Sequence, residues 1–319
     1  MHFRAHRRED YITKMAPVKY VPGATCPQFS NFLSDTFGGS LPLIGYVMRM
    51  MGYFLTGYTT EQKWWCFFGG TSTGKSTFIK ILHGIMGDYA IALPDGYFLL
   101  NKNNPTDFET AHLHGIRLAT CVETNEGRRL DVAKIKHITG EDKIRAALKY
   151  QNSFEFTPRV KLVLATNHRP HIPPGDDALW RRLKVVPFTV FVPEEKRIPG
   201  LAEKLIAEES PGILNCFLAG CEAWQKNGLQ EPPEVTSAVK EYRAAEDITL
   251  EFLTACAILE KDARVLSAEL LKCYREWCSK EGIHPMTAKR FGMELRRLGI
   301  SLDDSQRHYT GVKFKDSMF

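Results

Sequence analysis

The segment Gly69-Gly70-Thr71-Ser72-Thr73-Gly74-Lys75-Ser76 constrains this chain more than any other. It fits the pattern G-x-x-x-x-G-K-[ST], follows the apolar run Trp64–Phe68 and opens the helical stretch Thr77–Met86, so it reads as a strand, a tight turn and a helix. Glycines let the amides of such a turn face inward, and a helix start adds partial positive charge. Gly69 to Thr77 is therefore expected to cradle phosphate. Lys75 is expected to neutralise the β- and γ-phosphates and the Ser76 hydroxyl to bind Mg²⁺, while Thr77 either polarises the first turn or packs.

From Lys63 onward, short apolar runs (Trp64–Phe68, Ile116–Val122, Lys161–Ala165 and Lys184–Phe188) alternate with helical stretches, a pattern that predicts an α/β sheet. Phosphate chemistry needs a carboxylate to hold the metal and orient the attacking water, and the run from Ile116 ends in Glu123. Glu123 is the expected general base and, with Ser76, the expected Mg²⁺ ligand. Because Val122 rather than an acid precedes it, the metal would lean on Ser76, phosphate and water. Glu126 is either a second acid in that shell or a surface-loop carboxylate. The run Lys161–Ala165 leads into Thr166 and Asn167, and an Asn at a strand tip beside the γ-phosphate is expected to position the water. A plain turn residue is the alternative.

Residues 1–60 read as an N-terminal helical subdomain, with loop signals at Pro22-Gly23 and Gly38-Gly39. The apolar run Leu41 to Leu55 falls short of the ~20 residues that cross a bilayer and carries Arg49, so no membrane is expected as a partner. The basic start has no apolar run behind it, unlike a secretory leader, which points to a soluble, cytoplasmic protein. Residues 61–232 read as the ATPase domain, closing with a helix over Leu201–Lys226 and a linker from Gly228 to Pro233. Residues 236–319 show helical patterns at Ser237–Ala245, Leu250–Ala257, Ser267–Lys280 and Thr287–Leu298, then a β-like Tyr309–Phe314, an order that suits a winged helix. The Thr287–Leu298 stretch carries Lys289, Arg290, Arg296 and Arg297, and residues 284–315 hold seven Lys/Arg against three Asp/Glu. Lys289 and Arg290 are candidate DNA contacts, with a solvated helix face as the alternative. Across all 319 residues a net charge of +5 neither demands nor excludes a polyanionic partner. The eight cysteines lack metal-ligand spacing and are expected to be free thiols.

Four segments together resemble the superfamily 3 helicases, a branch of the AAA+ ATPases, and within them the helicase part of phage and plasmid primase-helicases. They are Gly69–Thr77, Cys121–Leu130, Ile138–Arg145 through Phe156, and Leu164–Pro170 leading to Asp177–Arg182. The resemblance implies an AAA+ P-loop core between an N-terminal helical subdomain and a C-terminal winged-helix domain able to meet duplex DNA. It implies a homo-hexameric ring in a phage, plasmid or other mobile element, binding ATP and Mg²⁺ between subunits and translocating on single-stranded DNA, 3′ to 5′, during replication. A primase or polymerase is a further candidate partner. An arginine should reach the γ-phosphate of the neighbouring subunit, where charge accumulates in the transition state; Arg182 is the best match and Arg181 the second choice. A β-hairpin should run Lys143–Lys149, turn near Tyr150-Gln151-Asn152 and return through Ser153–Phe156, its tip in the channel. Lys149 would grip phosphate and Tyr150 stack on bases, with Arg145 and His168-Arg169 as weaker candidates.

Two other classes stay open. A DNA-binding initiator or assembly switch would use the same Lys75, Arg182 and basic C-terminal part without unwinding. A small-metabolite kinase would share the phosphate loop but need an acceptor pocket and lid arginines in place of the hairpin.

Overall fold

The computed structural model describes residues 4–100, 110–123, 129–172, 176–281, 283 and 285–315, so Glu126 lies outside the described residues. They form two compact units that divide at Lys240–Glu241.

The first unit is mixed α/β. Its strands β1 (Trp64–Phe68), β2 (Ala90–Ala92), β3 (Leu118–Glu123), β6 (Lys161–Thr166) and β7 (Leu183–Pro187) form a sheet in the order β2-β3-β6-β1-β7. Every pairing in it is parallel. β1 and β6 are buried along nearly their whole length. That is why they read as continuous apolar runs rather than alternating ones. Between β3 and β6 lies a separate antiparallel hairpin, β4 (Ile144–Ala146) and β5 (Phe154–Phe156), with Ile144 opposite Phe156. Its strands are shorter than the sequence pattern suggests.

Around the sheet stand α1 (Pro27–Thr36), α2 (Leu41–Phe54), α3 (Lys75–Met86), α4 (Val132–Thr139), α5 (Asp177–Arg182) and α6 (Leu201–Asn227), followed by α7 (Pro233–Ala245), which begins at the last residue of the expected linker. The helices α1, α2, α3 and α6 bury one continuous apolar core together with the sheet. α2 and α6 cross backbone to backbone. A Cβ on Gly52 would sit 2.0 Å from the Cys221 amide nitrogen, and one on Gly220 would sit 2.0 Å from the Met48 carbonyl oxygen. α1 has Pro27 in its first turn but no side-chain cap of its own, so a distant acid supplies one. The Glu209 carboxylate on α6 accepts from the amides of Gln28 at 3.0 Å and Phe29 at 2.8 Å. Negative charge at a helix start also suits the macrodipole.

Beneath the turn from β1 to α3, Phe37, Phe67, Phe78 and Phe188 form a ring cluster, with Phe37–Phe188 centroids at 5.1 Å and Phe67–Phe78 at 5.7 Å. Each such pair adds about 0.5–1.5 kcal/mol beyond its area burial. The cluster ties the strand before the turn, the helix after it and the exit of β7 into one rigid support.

The second unit contains α8 (Ile248–Cys256), β8 (Ala257–Leu266), α9 (Ser267–Lys280), α10 (Ala288–Arg297), β9 (Ser301–Leu302) and β10 (His308–Phe314). The strands form an antiparallel sheet in the order β8-β10-β9 over their own core, in which Phe252, Tyr274 and Phe291 pack together. No helix among the described residues is long and apolar enough to cross a membrane.

Candidate functional site

The turn from β1 to α3 is held from two sides and braced within. The Gly69 amide donates to the Thr166 carbonyl at the end of β6, and the Val192 amide donates to the Ser72 carbonyl at 2.8 Å. Inside the turn, the Thr73 hydroxyl donates to the Gly70 carbonyl at 3.0 Å. Two residues need unusual freedom. Gly74 has φ +85°, and a Cβ on Gly69 would lie 1.9 Å from the Phe188 carbonyl oxygen. Ser72 also sits at φ +57°, a conformation that costs a non-glycine residue free energy and persists because its surroundings hold it.

Lys75, the first residue of α3, is buried, and its ammonium donates to the carbonyls of Gly69 and Gly70 and to the Thr73 hydroxyl. Burial pushes its pKa down from the ordinary lysine value, only partly opposed by the Cys66 thiol below it. An anion at the turn would offset that desolvation. Gly74, at the N-cap, has no side chain to cap α3, so the first helical amides face outward beside the exposed Ser76. This cradle fits a polyphosphate. Among the described residues no three His, Cys, Asp or Glu side chains converge as a metal cluster. A metal held by one hydroxyl, one carboxylate and phosphate needs no such cluster.

The parallel register brings the distant candidates to one edge of the sheet. Glu123 ends β3 opposite Thr166, and Thr166 pairs with Phe68 at the end of β1. With strands ~4.8 Å apart, the backbone positions of Glu123, Thr166 and Phe68 lie in a row roughly 10 Å long. Asn167 follows Thr166 and lines, with Phe68, His168 and Arg169, an open pocket of about 510 Å³. The Arg169 guanidinium lies over the Phe68 ring at 4.6 Å, which puts this cation at the phosphate edge. The segment after β7, through Val192, also belongs to the site, although its sequence carries no motif.

Arg181 and Arg182 lie elsewhere. They immediately precede Leu183, which pairs with Trp64 at the start of β1, whereas the phosphate turn follows its end. At ~3.3 Å per residue the two ends of a five-residue strand are roughly 15 Å apart. Arg182 is engaged within its own chain, its Nη1 donating to the Lys136 carbonyl at 3.0 Å and the Thr139 hydroxyl at 2.9 Å. Arg181 is exposed.

Lys149 and Tyr150 are exposed at the tip of the β4–β5 hairpin, and Tyr150 holds φ +64° in the turn. Arg145 is tied across the hairpin to the Ser153 hydroxyl at 2.9 Å. In the second unit, Lys289, Arg290 and Arg296 are exposed on α10. Arg297 instead bridges Glu294 and Asp247 inside the unit.

The fold is similar to solved structures of the NrS-1 C terminal region. One apo form matches with a TM-score of 0.57 and 12% identity over 93% of this chain and 78% of that one. A second matches with a TM-score of 0.56 and 16% identity over 75% of this chain and 56% of that one. Residues 67–182 match a family of unknown function (DUF5906), and residues 1–38 match the D5 N terminal like family. Among curated proteins, the chain is 26% identical over 253 residues to the putative helicase L207/L206 of Acanthamoeba polyphaga mimivirus, covering 73% of this chain and 26% of that protein. It is 24% identical over 252 residues to the putative helicase 022R of Frog virus 3, covering 73% of this chain and 26% of that protein. It is 29% identical over 149 residues to the primase D5 of Fowlpox virus, covering 44% of this chain and 18% of that protein. The chain thus spans about a quarter or less of the length of these viral relatives.

Proposed function

We propose that this chain is the ATP-driven motor of a viral DNA replication helicase, an AAA+ ATPase of superfamily 3. The observation that carries the reading is the convergence of the phosphate turn, Glu123 and Asn167 on one sheet edge. The Asn strand stands between the acid strand and the phosphate strand, so Asn167 follows a strand end that lies between Glu123 and the phosphate turn. Magnesium-bound ATP would supply the anhydride that is cleaved. Lys75 and the α3 amides would neutralise its phosphates, Ser76 and Glu123 would hold the metal, Glu123 would take the proton from the attacking water, and Asn167 would orient that water.

The arginine for the transition state comes from a neighbour. Arg181 and Arg182 are at the far end of the sheet from their own phosphate turn, which supports delivery of one of them to another subunit's site in a ring. Of the two, Arg181 is the side chain free to cross an interface. The hairpin tip with Lys149 and Tyr150 tracks a single strand, and the exposed Lys289 and Arg290 meet DNA phosphates on a winged-helix domain. The names of the viral relatives support the replication role, and the family resemblance supports six subunits and 3′ to 5′ movement.

The test is unwinding of a forked duplex by the intact protein, beside Lys75→Ala and Lys149→Ala. Strand displacement lost in both variants is the expected result. ATP hydrolysis without displacement, unaffected by Lys149→Ala, sinks the motor reading in favour of an initiator or switch.

A further inference from the structure

We infer that the pocket at the foot of the β4–β5 hairpin is a second contact for single-stranded nucleic acid, holding one nucleotide by its base and its phosphate. This rests on the DNA-motor reading and adds a site away from both the hairpin tip and the phosphate turn.

The pocket, of about 290 Å³, is lined by His114, Gly115, Phe156, Thr157 and Arg159. That volume is at the small end of ligand pockets and suits a single nucleotide rather than a duplex. Its position follows from the strands. His114 lies four residues before β3 and Arg159 two before β6, so the pocket opens at the edge where the strands begin. The phosphate turn is at the other edge.

A base needs an aromatic face that is fixed and open. The His114 ring meets Phe156 at 5.2 Å and 81° and Phe154 at 5.7 Å and 80°. Two edge-on contacts fix the imidazole, and the residue remains exposed. Stacking on such a face tolerates any base sequence, as a translocating protein requires.

A phosphate needs cations that nothing else has claimed. Arg159 is exposed, and among the described residues its guanidinium has no acceptor. The Lys14 side chain runs against Gly115, since a Cβ there would lie 2.9 Å from Lys14 Cε. Behind them, Arg117 and Lys161 are spent on the carbonyls of Leu55 and Thr56 at the end of α2. Among the described residues no carboxylate lines the pocket. An unclaimed guanidinium beside an aromatic face matches a nucleic-acid strand, whose charge and rings alternate at every nucleotide.

The test measures binding of a fluorescein-labelled oligo(dT) by the full chain at several salt concentrations, beside His114→Ala, Arg159→Ala and Arg159→Lys. Arg159→Ala should weaken binding roughly tenfold and lower the slope of log affinity against log salt by about 0.7, the share of one phosphate contact on a single strand. Arg159→Lys should restore that slope. His114→Ala should weaken binding roughly tenfold with the slope unchanged. Wild-type affinity and slope in both alanine variants, while Lys149→Ala is impaired, overturns the pocket and leaves the motor reading intact. An equal loss on blunt duplex overturns the single-strand assignment. A wild-type chain that binds no single strand at all sinks both readings.

Discussion

On the proposed motor reading the adjacent arginines at the end of α5 have separable jobs, and alanine at each position should report a different one. Arg182 donates to the Lys136 carbonyl and the Thr139 hydroxyl in the last turn of α4. Hydrogen bonds from a charged donor contribute about 1.5–3 kcal/mol, and a cation at a helix end adds about 0.3–1 kcal/mol. Arg182 is half-buried, and Lys136 keeps its bond from the Gly140 amide, so the lower end applies. Arg182→Ala should therefore cost about 2 kcal/mol, or roughly 4–8 °C in Tm for a unit of this size. Arg181→Ala should change stability by less than ~0.5 kcal/mol, as at most surface positions. It should instead cut ATP turnover of the assembled protein by roughly 10³-fold or more, the scale of a lost arginine finger. The assay pairs thermal unfolding with steady-state hydrolysis above the assembly concentration. If Arg182→Ala melts with the wild type while Arg181→Ala hydrolyses ATP at the wild-type rate, the assignment is refuted.

Three further outcomes follow from the packing. Arg297→Ala should lower the melting temperature of the second unit, because it strands the buried Glu294 and Asp247, and Arg290→Ala should leave Tm unchanged while weakening DNA binding; the reverse pattern defeats this division. Glu209→Ala should cost about 1–3 kcal/mol by leaving the Gln28 and Phe29 amides at the start of α1 without their carboxylate, and an unaltered thermal melt would count against it. Burial and the nearby Arg117 hold the Lys161 pKa well below the ordinary 10.5. Between that depressed value and 10.5 the unfolded chain binds more protons than the folded one, so stability rises with pH across this window. The wild-type Tm should gain on Lys161→Met between about pH 8 and about pH 10, and parallel profiles would remove the argument.

Much of the fold is written locally. β1 and α9 fall where the pattern puts them, and α6 differs from its expected span by one residue, because an apolar run or a 3.6-residue periodicity is complete within its own segment. The strand-turn-helix at Gly69 to Ser76 is legible for the same reason, its turn residues and helix start being contiguous. β8 was not legible. Its ten residues carry Glu260, Lys261 and Asp262 in the middle, which break any alternation, and it is a strand because β10 pairs along it. β2 is three residues long and has too few positions to show a period.

The sequence by itself supplied the candidate groups of the proposed site: a glycine turn with Lys75 and Ser76, an acid and an amide at two strand tips, and a pair of arginines before a strand. Only the tertiary structure decided their arrangement. It set the Asn strand between the other two, gave Glu209 to the start of α1, and drew Arg297 into the second unit. It also tied Arg182 to α4 while leaving Arg181 exposed, a choice that two identical neighbouring side chains cannot encode. A motif depends on contiguous residues, whereas the partner of a charged side chain depends on which distant segment packs against it, and that is set by the burial of the whole core.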